Sequence, residues 1–197
     1  MKSHLGKLKE IKRYNKMILN YKTNAQNHID YQLYAASKSE RIAKKRKAAK
    51  IYIPIIYLSI SFVLLIGGFY IGSCCSLIFA ILWYLIYPIY LSKHYVKHYS
   101  DFVNERIKNE PDYTTNIEFT KEFIFIKSEA GESKLNSTEI KEIIEISTIT
   151  MVFLKLGTTL LFPNDAIKNI SELKSFLKTY SKDLNIEYKQ ELNWKWK

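Results

Sequence analysis

The most informative absence in this sequence is that of charge in its middle part, because residues 51–92 contain no Asp, Glu, Lys, Arg or His. A membrane-spanning helix needs about 20 consecutive apolar residues, and this run is about twice that length. Gly67 and Gly68 lie in the only cluster of the run that tolerates a tight turn. We therefore predict a transmembrane helical hairpin with spans of about 51–70 and 73–92. A hairpin buried in a soluble core is the alternative, but the remaining chain is too short and too charged to cover it.

Cysteine, histidine and glycine are also scarce, and this limits the chemistry that the chain supports. The only two cysteines, Cys74 and Cys75, are adjacent, so they cannot cross-link a domain. They are interpreted as small apolar side chains that fill space, with a lipidated or redox-active pair as the alternative. His94 and His98 lie one helical turn apart without a nearby third metal ligand. The six glycines form no phosphate-binding or nucleophile-elbow motif. Asp165 is a possible catalytic acid, but it lacks a second carboxylate or a histidine as partner. We predict no enzyme activity, no cofactor and no bound metal.

The positive charge is concentrated on one side of the apolar run. Residues 1–50 carry 14 Lys or Arg against three acids, whereas residues 93–197 carry 16 of each sign. The cations that flank the run are Arg41, Lys44, Lys45, Arg46, Lys47, Lys50, Lys93 and Lys97. By the positive-inside rule, both termini are expected in the cytoplasm, with these residues at the membrane interface beside anionic headgroups. Because the basic stretch adjoins the apolar run, it favours lipid over nucleic acid as partner. No cleavable signal peptide is expected.

The chain around the apolar run divides into segments that differ in the spacing of their apolar residues. Residues 1–15 are a basic extension, and 16–23 alternate like a strand that joins the later sheet. Residues 24–112 read as helix: nothing interrupts the helical pattern before Lys50, so one helix is expected to enter the first span without a break. The second span is expected to continue inward until Pro111 ends it. The two inward projections are predicted to pack as an antiparallel helical stalk.

Residues 113–184 change to an alternating period and then end in an amphipathic helix. The predicted strands are 114–120, 123–129, 132–136, 140–148, 151–156 and 158–162. With the early strand and the closing helix they predict an α+β membrane protein, in which a small antiparallel β-barrel or sheet, pleckstrin-homology-like (PH-like), is capped by a C-terminal helix. In the tail, residues 185–197, Trp194 and Trp196 alternate with lysines. That pattern favours the headgroup region, while a frayed end or an extra edge strand stays open.

Three stretches resemble the YcxB-like family of bacterial membrane proteins. They are the helix DYQLYAASKSERIAKKRKA that enters the hairpin, GESKLNSTEIKEIIE at 131–145 and LLFPNDAI at 160–167. The residues that match the family's pattern are Gly131, Ser133, Ile140, Glu145, Pro163 and Ala166. The chain departs at Asn136, where the family usually has Trp, and at Asn164, where a basic residue is usual. The resemblance implies a two-span anchor in the bacterial cytoplasmic membrane that carries a cytoplasmic PH-like domain.

Two functions fit these features. The first is a membrane-anchored, non-catalytic binding or adaptor module, whose sheet edge takes a protein or peptide partner or a second copy of the chain in a homo-oligomer. The second is an immunity protein that protects the cell against a bacteriocin or another membrane-active toxin, a role that needs no catalytic residues. Both share the lipid bilayer as a partner.

Overall fold

The computed structural model describes residues 16–109, 114–128 and 131–196. The predicted N-terminal extension and the helix end at Pro111 lie outside these residues. The elements in chain order are β1 (Lys16–Lys22), α1 (Ala25–Lys38), α2 (Glu40–Ile66), α3 (Tyr70–Asn109), β2 (Thr114–Thr120), β3 (Phe123–Ser128), β4 (Gly131–Asn136), a 3-10 turn (Ser137–Glu139), β5 (Ile140–Glu145), β6 (Ile149–Leu154), β7 (Thr159–Pro163), α4 (Ile170–Asp183) and β8 (Glu187–Gln190). The protein is α+β, as predicted.

These elements form two compact units. The β unit consists of the described residues through Tyr31 together with Val103–Trp194, and the helical unit consists of Gln32–Phe102 with the end of the chain from Lys195. All eight strands and α4 belong to the β unit. Most of the two long helices belongs to the helical unit.

The helices α2 and α3 are each long and apolar enough to cross a membrane. Only 6% and 11% of the residues in their most apolar windows are buried, so they do not resemble the core helices of a soluble protein. They are joined at the predicted turn, where Gly68 adopts a φ of +78° that favours glycine. The two helices run antiparallel, since the Trp83 indole lies 3.4 Å from the carbonyl oxygen of Ala49 and Ser61 contacts Ser73.

The prediction of one continuous helix from residue 24 into the first span is wrong at Ser39. This residue has extended backbone angles, and its hydroxyl accepts a hydrogen bond from the amide of Ile42 at 3.4 Å. Ser39 is therefore the N-cap of α2 and separates it from α1. Beyond the hairpin, by contrast, α3 continues without a break for 40 residues, as expected.

The strands form two four-stranded sheets, in the orders β1-β2-β3-β4 and β7-β6-β5-β8. The first sheet is antiparallel throughout, and β1 pairs with β2 across the whole of its length. Within the described residues no closed barrel forms, because the 3-10 turn carries the chain from the edge strand β4 into the second sheet without pairing β4 to β5. In the tail, where a frayed end or an extra edge strand was left open, β8 forms an edge strand that pairs in parallel with β5.

The core of the β unit lies between the inward faces of the sheets and the apolar face of α4. Phe119 is fully buried, and its ring lies within 6 Å of the rings of Phe162, Phe176 and Tyr180. Leu173 and Leu177, one turn apart on α4, are fully buried in the same cluster. The predicted amphipathic helix therefore buries one face in the core of the β unit.

Candidate functional site

The polar residues that were considered for chemistry have local contacts, and in the described part of the chain no group of His, Cys, Asp or Glu side chains could hold a metal ion. The rings of His94 and His98 stack with centroids 6.5 Å apart, but no cluster of three or more His, Cys, Asp or Glu side chains surrounds them or any other point there. The Asp165 carboxylate lies 3.5 Å from the Asn24 amide nitrogen. Asp165 lies in the turn that follows β7.

The eight predicted interface cations differ in their surroundings. Arg46, Lys47 and Lys50 line a groove of about 320 Å³ between α2 and α3, which we call the basic groove. Its other lining residues are Ala43, Tyr87, Pro88 and Leu91. The remaining predicted cations, Arg41, Lys44, Lys45, Lys93 and Lys97, are exposed and do not line it.

Aromatic rings hold two cations of the basic groove in place. The guanidinium of Arg46 lies 4.8 Å from the ring centroid of Trp196, and the ammonium of Lys50 lies 4.3 Å from that of Tyr84. The Trp196 indole nitrogen donates a hydrogen bond to the carbonyl oxygen of Ser92 at 3.1 Å. The sequence indicated an interfacial role for Trp196 through its alternation with lysine, but it did not identify Arg46 as its partner.

A second groove lies on the first sheet, over β2, β3 and β4. It has a volume of about 490 Å³ and is lined by apolar and charged side chains, including Phe125, Lys127, Glu132 and Lys134. The Lys134 ammonium lies 3.8 Å from the ring centroid of Phe123 on β3. A hydrogen bond from Lys127 holds the pKa of the Glu132 carboxyl below its ordinary value.

The groove adjoins an unpaired strand edge. Strand β4 is the last strand of its sheet within the described residues, and five of its six residues are exposed. Such an edge presents backbone donors and acceptors to another strand. The arrangement provides both backbone pairing and a groove for side chains, which are the two requirements of strand-addition recognition.

The corresponding edge of β5 is occupied by the chain itself. Strand β8 pairs with β5 from Glu142 to Glu145, and the buried Glu145 carboxylate holds it there. This carboxylate accepts hydrogen bonds from Tyr188 at 2.8 Å and Gln190 at 2.9 Å, and pairs with Lys174 of α4 at 3.0 Å. Burial raises the pKa of Glu145, but these three donors outweigh it and leave the pKa below its ordinary value.

The residues that carried the family resemblance occupy several environments. Gly131 begins β4 with a φ of +145°, Ser133 is exposed on β4, and Ile140 is fully buried at the start of β5. Pro163 ends β7 in a buried position, and Ala166 is exposed in the following turn. Apart from Glu145 and from Ser133, which lines the groove on the first sheet, these residues shape turns and core, and the set does not converge on one site.

The two departures from the family pattern have local partners. The Asn136 side-chain oxygen accepts hydrogen bonds from the amide and hydroxyl of Thr138 and caps the 3-10 turn. Asn164 donates from its side chain to the carbonyl oxygen of Ser147 at 2.8 Å and ties two loops together. Both residues thus stabilise turns at these positions.

Comparison with known proteins adds little to this geometry. No family model and no curated protein matches the chain. One solved structure with similarity is the crystal structure of the C-terminal domain of an unknown protein from Leishmania infantum, with 18% sequence identity and a TM-score of 0.30 over 36% of this chain and 72% of that chain. A TM-score of this size carries no argument about fold or function.

Proposed function

We propose that the chain is a membrane-anchored, non-catalytic binding module of the YcxB-like type, with its hairpin in the bacterial cytoplasmic membrane and its β unit in the cytoplasm. The observation that carries the proposal is the outward exposure of apolar side chains on α2 and α3, such as Ile66 at 74% and Ile71 at 83%. Leaving one such side chain in water costs about 1.5–3 kcal/mol, whereas a bilayer removes the cost.

The order of the strands supports a PH-like domain as the cytoplasmic part. Seven strands in two sheets precede a helix whose apolar face covers the core, as the family resemblance implies. Strand β1 precedes the hairpin in sequence, but it completes the sheet formed by strands that follow the hairpin. The domain is therefore connected to the hairpin twice along the chain, through β1 before the hairpin and through β2 after it.

The free edge of β4 and its adjoining groove are the proposed binding face. A partner segment that adds as a strand pairs with the backbone of β4 and places alternate side chains over Phe125 and Lys134. The groove carries both charge signs, so it suits a peptide with mixed polar and apolar residues.

Site-specific photo-cross-linking in living cells tests this assignment. A photoreactive residue in place of Ser133 on β4 is expected to give a discrete cross-linked species. The same residue in place of Lys178, an exposed position on α4, serves as the control. Equal yields at the two positions, or no adduct at Ser133, would contradict a binding face at β4.

A further inference from the structure

We propose that the basic groove is a binding site for the phosphate group of one anionic phospholipid molecule. The inference rests on the proposed insertion of the hairpin in a bilayer, and it replaces a general attraction to acidic lipid by a defined site. It concerns the helical unit alone, so it is independent of what the β unit binds.

The composition of the groove matches the two parts of a phospholipid. Arg46, Lys47 and Lys50 supply positive charge from α2, whereas Pro88 and Leu91 supply apolar surface from α3. A phosphate is attracted to the cations, and the first methylene groups of an acyl chain match the apolar wall. Basic pockets between transmembrane helices bind lipid headgroups in this manner.

The groove also lies at the correct depth. Lys50 is the last charged residue before the uncharged run, and Leu91 is one residue short of the end of that run. Because α2 and α3 are antiparallel, the two boundaries between charged and apolar sequence meet across the groove. In an inserted hairpin this level coincides with the lipid phosphates.

Two of the cations are held before any lipid arrives. The Arg46 guanidinium lies 4.8 and 5.9 Å from the ring centroids of Trp196 and Tyr95, which are themselves in contact, and Lys50 lies over the ring of Tyr84. Both side chains are half-buried, in contrast to the exposed Arg41 and Lys45. Cations that aromatic rings already hold lose less side-chain entropy when a phosphate binds.

Native mass spectrometry of the full-length protein tests the proposal. The protein is delipidated in a neutral detergent and titrated with phosphatidylglycerol or with phosphatidylcholine. One phosphatidylglycerol is expected to bind at concentrations at which phosphatidylcholine does not. The double variant Arg46→Gln/Lys50→Gln is expected to weaken phosphatidylglycerol binding about tenfold or more.

The chain offers a matched control. Arg41 and Lys45 have the same residue types and the same spacing on the same helix, but they lie outside the groove. The variant Arg41→Gln/Lys45→Gln is expected to change binding less than about twofold. Arg46→Lys/Lys50→Arg, which keeps the charge but removes the guanidinium that contacts Trp196, is expected to weaken binding by about threefold, less than the Gln variant of the same residues. Equal losses in the two Gln variants, or equal affinity for the two lipids, would overturn the site.

Two further arms separate the possible causes of failure. Glycerol 3-phosphate at tenfold excess over lipid is expected not to displace the bound phosphatidylglycerol, and displacement at equal concentration would assign the groove to soluble phosphates instead. Extraction of membranes at alkaline pH is run on the same variants. Retention in the membrane without lipid selectivity rejects the site alone, whereas release rejects the proposed membrane anchor and with it the site.

Discussion

At the scale of single residues, Glu145 determines how the end of the chain is arranged. The residue is only 4% exposed, and its carboxylate is paired with donors from β8 and α4. A buried carboxylate is costly to desolvate unless its oxygens are hydrogen-bonded, and here three side chains satisfy them. The sequence pattern placed Glu145 at the end of an isoleucine-rich strand, but its partners Tyr188 and Gln190 lie more than 40 residues away, beyond the reach of any local pattern.

Replacement of Glu145 by Gln is expected to loosen β8. The variant removes the charge that faces Lys174 and turns one acceptor into a donor beside Gln190, at a cost of about 2 kcal/mol. Hydrogen exchange of the full-length protein, read by mass spectrometry, should then show protection of residues 187–190 reduced roughly 30-fold. Glu187→Gln, at a 65% exposed carboxylate in the same strand, is the control and is expected to change protection less than about threefold. A similar loss in both variants would contradict the role of Glu145.

The same residue predicts a dependence on pH. Because the pKa of Glu145 is lowered in the folded protein, its stabilisation is fully present above the ordinary value of 4.5 and is lost as the pH falls through the lowered value. The pKa of Glu142 is also lowered, and the largest cause is the hydrogen bond that its carboxylate accepts from Lys189. Protection of β8, corrected for the intrinsic exchange rate, should decrease below pH 4.5 in the unmodified protein and decrease less in Glu145→Gln. Identical pH profiles would contradict this account.

At the scale of elements, the helix pair is joined by serines within its apolar length. Ser73 donates to the carbonyl oxygen of Ser61 at 2.9 Å, and Ser76 donates to that of Tyr57 at 2.7 Å. Small residues of this kind let helices approach closely, and each hydrogen bond contributes about 0.6 kcal/mol in a membrane. The sequence alone does not identify this contact, because the partners that face each other become visible only when the turn fixes the pairing of the helices.

Substitution at Ser61 tests the helix contact. Ser61→Leu places a larger side chain where the serine is 8% exposed against α3, so it is expected to destabilise the hairpin by about 2 kcal/mol through overpacking and the lost hydrogen bonds. Ser59→Leu, whose serine is exposed and bonds only within its own helix, is expected to be neutral. Steric trapping of the two helices in bicelles measures the difference. Equal stabilities of the two variants would show that this face is not the helix interface.

The elements also show where local patterns were sufficient. The strands β2 and β3 agree closely with their predicted ranges of 114–120 and 123–129, and the predicted closing helix is present as α4, since each has a buried face with a clear period. The break at Ser39 was missed because serine is compatible with a helix interior and marks a cap only through its contact with Ile42. Strand β8 is four residues long, and so short a segment has no period that distinguishes a parallel edge strand from a tail.

At the scale of the whole molecule, the sequence predicted one part with an apolar outer surface and a second part with a polar surface around its own core. The uncharged run became two helices whose apolar side chains face outward, and the alternating segments became a unit with its own buried core. Composition did not predict which cations would line a groove, because this depends on the rotation of α2 against α3. The YcxB-like relationship and the self-protection role against a toxin both stay predictions.

The central claim is that the hairpin crosses a bilayer twice and returns both ends of the chain to the cytoplasm. A protease-sensitive tag after the C-terminus, probed in intact spheroplasts and again after lysis, tests it most directly, with an identical tag at the N-terminus as the companion. We predict that both tags resist external protease until the cells are lysed, and that the protein sediments with membranes throughout. Cleavage of either tag in intact spheroplasts, or recovery of the protein in the soluble fraction, would contradict the account.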